Sequence, residues 1–168
     1  MSNELQKSEG GNIQSAILKI VERTDIDPER LEKFLDLQER IEARQAEKEF
    51  NDAVANFQGE APIIKKIKTV EFTAKSGQKT KYDYAPLDEM VYEIKPILQR
   101  HGLSFSFDVA ERGIIKTSIR HKSGHSEVYT LYFDELHDDS RMNSAQRRKA
   151  ALTFVKRAAL ENALGLVT

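Results

Sequence analysis

Lysines recur at short intervals between residues 65 and 81, with aromatic rings set among them: Lys65, Lys66, Lys68, Lys75, Lys79 and Lys81 with Phe72, Tyr82 and Tyr84. Ammonium groups at such spacing can follow a row of phosphates, and the rings offer flat surfaces on which bases stack. A second basic run lies near the end of the chain, with Arg141, Arg147, Arg148, Lys149, Lys156 and Arg157. At helical spacing Lys149 and Lys156 share a side, with Arg157 beside them. Each cluster also has a plainer reading. Lysines on an edge hairpin discourage aggregation, and a basic helix can pair with acids elsewhere in the fold.

The net charge of −1 conceals this distribution. Residues 1–60 hold eight basic and fourteen acidic side chains, and residues 85–140 hold six and ten. Residues 61–84 reverse the balance with six against two, and residues 141–168 with six against one. A polyanion responds to such local fields rather than to the total.

Other chemistries find less support. There is no cysteine, which excludes a thiol nucleophile, a disulfide framework and a thiolate zinc site. No Gly-rich phosphate loop with its lysine is present, so an ATP-driven enzyme is disfavoured, and there is no serine nucleophile elbow. His121, His125 and His137 with Asp134, Asp138 and Asp139 match no defensible ligand spacing. The expectation is therefore no metal, no cofactor and no catalytic residue. The N-terminus carries no basic leader and no stretch is apolar enough to span a bilayer, so a cytoplasmic location is expected.

The elements that must position the two clusters can be read from periodicity. Residues 1–11 read as a flexible tail, and residues 12–60 as a helical arm. A short helix is expected over Ile13 to Arg23. Asp27-Pro28-Glu29 then announces a longer one, with an Asp cap and Pro in the first turn. Phe50, Ala53, Val54 and Phe57 keep helical spacing to its end. Residues 61–168 read as the core. Ile63 to Thr73 and Thr80 to Tyr84 form a hairpin about Lys75-Ser76-Gly77-Gln78, so the first lysine cluster lies on it. Alternation puts Lys66 and Lys68 on one face, and Lys79 and Lys81 likewise share a face. A helix over Leu87 to Arg100 should kink or shorten at Pro96. Three strands follow, Leu103 to Val109, Ile114 to His121 and Glu127 to Phe133. A last helix covers Asn143 to Leu164, without an acid in its first turns, an opening that suits an anion. The fold class is α+β, a mainly antiparallel sheet (hairpin plus three-stranded meander) backed by helices, with a long N-terminal helix.

Several short blocks follow one another in a telling order. Glu49-Phe50-Asn51-Asp52-Ala53 leads to Pro62-Ile63-Ile64 and Lys81-Tyr82-Asp83-Tyr84-Ala85-Pro86-Leu87. Ile94-Lys95-Pro96-Ile97-Leu98, His101-Gly102-Leu103-Ser104 and His121-Lys122-Ser123-Gly124 come next, and Ser144-Ala145-Gln146 through Leu152-Thr153-Phe154-Val155-Lys156-Arg157-Ala158 to Leu164-Gly165-Leu166 closes the series. Over residues 45–166 the chain resembles the essential-recombination-function (ERF) family of phage single-strand annealing proteins. It departs from that pattern where Arg147-Arg148-Lys149 replaces small residues including Gly, and where Phe154 replaces an aromatic hydroxyl.

The resemblance implies a strand-annealing-protein-like core, ATP-independent annealing of single-stranded DNA, and homo-oligomeric rings or filaments. It also implies a host single-strand-binding protein as a further partner, recruited by a separate C-terminal region of a kind not seen before Thr168. The expected DNA contacts are Lys65, Lys66, Lys68, Lys79 and Lys81, with Arg148, Lys149, Lys156 and Arg157, while Tyr82 and Tyr84 stack or simply pack. The alternative is an assembly module that uses the long helix without nucleic-acid binding.

Overall fold

The computed structural model describes residues 27–73, 79–111, 113–133 and 143–168. The expected tail, the short helix over Ile13 to Arg23, Lys75, Arg141 and the loop carrying Asp134, His137, Asp138 and Asp139 lie outside the described residues, as does the side chain of Arg147.

Helix α1 runs from Pro28 to Glu60. The Glu29 N–H donates to the Asp27 carboxylate at 3.2 Å, and the Arg30 N–H to the Asp27 carbonyl at 3.0 Å. This is the cap that Asp-Pro-Glu encodes. The chain divides into two compact units, Met1–Arg44 and Gln45–Thr168. In the second unit, Phe50, Ala53 and Phe57 of α1 are buried, because their spacing of three and four residues places them on one helical face. Burying each ring is worth roughly 1.5–3 kcal/mol.

After α1 the chain joins no strand pairing until β1, Lys68–Thr73. The expected strand is thus shortened, because Ile64 is buried and its N–H donates to the Val167 carbonyl at 3.1 Å. That contact turns residues 63–67 toward the C-terminal segment, so Lys65 and Lys66 precede the hairpin instead of lying on it. Strand β2, Lys79–Tyr84, returns antiparallel to β1, with Lys68 opposite Tyr84, Val70 opposite Tyr82 and Glu71 opposite Lys81.

Helix α2, Leu87–Arg100, buries Met90, Ile94 and Leu98. It runs through Pro96 without ending there. Pro96 is on the exposed side, as is Tyr92 one turn earlier, so water can satisfy the carbonyl deprived of its donor. Helix α2 stops at His101 and Gly102, where Gly102 takes a φ of +68° beneath the methylenes of Lys122. Strands β3 (Leu103–Glu111), β4 (Ile114–His121) and β5 (Ser126–Tyr132) form a separate antiparallel meander in that order. Alternation turns Ile115, Thr117, Ile119 and His121 of β4 inward. Tyr129 of β5 is partly buried beside Glu127, and burial, with a hydrogen bond to that carboxylate, pushes its hydroxyl up to about 12.

Helix α3, Ser144–Leu164, starts with a capping box and ends at Gly165 in the left-handed conformation. It closes the core with Val155, Ala159, Leu160, Ala163 and Leu164. The architecture is α+β, with a long N-terminal helix, a two-stranded hairpin and a three-stranded meander.

Candidate nucleic-acid interface

The β1–β2 register sorts the side chains of the hairpin. Pairing partners share a face, so Lys68, Val70, Tyr82 and Tyr84 lie on one side. Lys79 and Lys81 lie on the other, with Glu71 opposite Lys81 and Asp83 opposite Thr69. The Thr69 hydroxyl donates to the Asp83 carboxylate at 2.6 Å. Lys79 and Lys81 do share a face, as alternation requires, but it is the face without the tyrosines. Two acids offset their charge there.

The tyrosine face meets helix α3. The Arg157 guanidinium lies 4.9 Å from the Tyr84 ring centre and 5.1 Å from that of Phe154. It also donates to the Ala85 carbonyl at 3.2 Å. That carbonyl lies just before Pro86, where β2 gives way to α2. Arg157 is therefore half-buried and shared among three neighbours, each cation–π contact worth about 0.5–1 kcal/mol. It ties α3 to the hairpin as much as it supplies charge. Tyr82 stands 6.4 Å from Tyr84 with the rings tilted by 51°. Tyr82 and Phe154 remain nearly half exposed, at 46% and 47%.

These side chains line one open cleft. Lys66, Tyr82, Tyr84, Phe154, Arg157 and Glu161 all border it. The two basic segments, far apart in sequence, thus meet at residues 66, 82, 84 and 157. Lys65 and Lys68 are exposed close by in sequence.

The other described cations of α3 do not border this cleft. The Lys156 ammonium lies 5.6 Å from the Phe107 ring centre, against strand β3 and not against the hairpin. Arg148 and Lys149 are exposed in the first two turns of the helix. At the start of the helix the Asn143 side chain accepts from the Gln146 N–H at 2.9 Å, and the Gln146 side chain accepts from the Asn143 N–H at 3.2 Å. A neutral capping box thereby takes N–H groups that the sequence left open for an anion.

Phe154 and Glu161 are among the cleft residues that escaped sequence reading. Phe154 falls outside the apolar stripe of α3, and an aromatic ring off the packing face was the available signal. Glu161 is the only acid in the last helix and gave no signal of its own. Of the histidines, the His121 ring lies 2.7 Å from the Ser123 hydroxyl, and the His125 ring packs 5.0 Å from Phe50. Among the described residues no group of three or more His, Cys, Asp or Glu side chains is arranged to hold a metal ion. Nor is any described helix long and apolar enough to cross a membrane.

Fold and cleft together define an α+β protein that presents cations and aromatic rings on one surface. The ERF superfamily matches residues 50–168, and the chain belongs to it. Membership points to phage recombination and strand annealing. No curated protein and no solved structure matches the chain.

Proposed function

We propose that the protein binds single-stranded DNA and anneals complementary strands without ATP, metal or a catalytic step, in phage homologous recombination within the host cytoplasm. The observation that carries this reading is the convergence of Lys66, Tyr82 and Tyr84 with Phe154 and Arg157 on one cleft. Cations there neutralise phosphates of any sequence, and the exposed rings of Tyr82 and Phe154 take bases by stacking. Lys65 and Lys68 extend the cationic edge along the hairpin approach, and Arg148 and Lys149 extend it along α3. A homo-oligomer, ring or filament, would line such clefts up along a strand, and a host single-strand-binding protein is a further partner.

A titration of labelled oligonucleotide over a range of salt tests the proposal. The log of the affinity should fall with the log of salt by roughly 0.7 per phosphate neutralised. Complementary strands should anneal faster with the protein than without it, in the presence of a chelator. No binding at low salt would overturn the reading.

Exposed Phe34, Leu37 and Ile41, at helical spacing on α1, favour a second use of the chain, in assembly. Assembly without any affinity for DNA, seen by sizing and titration together, would promote that use to the main one.

A further inference from the structure

The cleft carries a carboxylate that a phosphate site does not need. Glu161 is half-buried at its edge. Arg157, one turn earlier on α3, does not neutralise it: that guanidinium is held by the Ala85 carbonyl and by the Tyr84 and Phe154 rings. Among the described residues no cation lies within ion-pair distance of Glu161. Asp83 also borders the cleft, but the register turns its side chain to the other face of the hairpin, where it accepts from Thr69. The Glu161 carboxylate therefore borders a space lined by stacking surfaces and has no cationic partner among the described residues. A carboxylate in that position repels phosphates and attracts N–H donors.

We infer that this cleft is a slot for the pairing edge of one stacked base, with Glu161 accepting from adjacent N–H donors, which makes guanine the preferred occupant. The inference rests on the single-strand-binding reading above. Guanine alone presents a ring N–H and an exocyclic amine side by side, matching both oxygens of a carboxylate. Adenine and cytosine place an acceptor lone pair next to their amine, which repels the second oxygen. Thymine offers a single N–H between two carbonyls. A base held this way has its pairing edge covered. The slot thus holds one base out of pairing until the complementary strand competes for it.

Hypoxanthine lacks only the exocyclic amine of guanine, which makes a clean probe. A mixed-sequence single strand without self-complementarity is compared with its copy in which every guanine is replaced by hypoxanthine. The intact chain should bind the guanine strand roughly fivefold to tenfold more tightly, the lower end of what a bidentate base contact discriminates. Glu161→Gln should collapse that difference and leave the dependence on salt in place. The substitution spares the Glu161 carbonyl, which accepts from the Gly165 and Leu166 N–H groups at the helix end, and circular dichroism checks the fold. Equal affinity for the two strands, or an undiminished preference in Glu161→Gln, would overturn the inference alone. Salt-independent or absent binding of both would overturn the strand-binding reading beneath it.

Discussion

The hairpin register makes a sharper demand on the lysines than their number does. Lys66 lines the cleft and Lys68 lies on the tyrosine face, whereas Lys79 and Lys81 lie on the opposite face. One strand running through the cleft can be followed by the first pair and not by the second. The test compares Lys66→Ala/Lys68→Ala with Lys79→Ala/Lys81→Ala, two double variants of equal charge change. All four side chains are exposed, so each substitution should change stability by no more than about 0.5 kcal/mol. Losing two phosphate contacts should reduce the log–log salt slope by about 1.4, at roughly 0.7 per contact on a single strand. Over a ~4-fold rise in salt, the affinity of the wild type would then fall about sevenfold further than that of the Lys66/Lys68 variant. The Lys79/Lys81 variant should shift the slope by less than one contact, since Lys81 stands opposite Glu71 and its removal leaves that acid uncompensated. Fluorescence anisotropy of a labelled oligonucleotide at several salt concentrations measures all three slopes. Equal flattening by both pairs, or flattening by Lys79/Lys81 alone, would refute the reasoning that one face of the hairpin meets the strand.

Two further outcomes concern the scaffold. Glu60, at the end of α1, accepts from Arg100 at 2.6 Å and lies 3.0 Å from the His101 ring, and the hydrogen bond from Arg100 holds its carboxyl below the usual range. A lowered folded value means that its contribution to stability is complete above the ordinary carboxyl range, near 4.5, and is lost as the pH falls through the lower folded value. Urea midpoints as the pH is lowered below about 4.5 should therefore fall less steeply in Glu60→Gln than in the wild type; identical slopes would show that this contact adds nothing. Thr117 is fully buried on β4, and its hydroxyl has no hydrogen-bond partner among the described residues. Thr117→Val keeps the shape and removes the orphaned group, so it should raise stability by about 1–2 kcal/mol in thermal or urea unfolding, and a destabilised variant would reveal a partner for that hydroxyl.

Much of the fold was legible because its signals are local. The Asp-Pro-Glu start of α1, the spacing of Phe50, Ala53 and Phe57, and the alternation of Ile115, Thr117 and Ile119 each depend on neighbours within a few residues. The errors arose where a distant partner intervened. Ile63 to Ile67 has the β-branched character of a strand, yet the bond from Ile64 to Val167 removes that segment from the hairpin. Pro96 carries the signal for a kink or a shortened helix, yet α2 runs through it over the full expected span to Arg100, with Pro96 on the exposed side. Neither partner nor exposure is written in the local sequence.

The candidate site shows the same limit in a form that bears on function. Composition identifies two basic segments, but a lysine contributes to a phosphate track only if it shares a surface with the others. Which face it takes depends on the cross-strand register, and one residue of slip would exchange the two sets. With Lys68 opposite Tyr84, the tyrosines and Lys68 face α3 together, while Lys79 and Lys81 share their face with Glu71 and Asp83. Arg157 then serves the cleft by bridging Tyr84, Phe154 and Ala85, a role that a count of positive charges would assign to phosphate. The cluster that the sequence presents as one group of equals is, in the fold, a set of unlike parts. Cations follow a backbone, rings receive bases, a guanidinium braces the hairpin against α3, and Glu161, without a cation beside it among the described residues, gives the surface a means of telling one base from another.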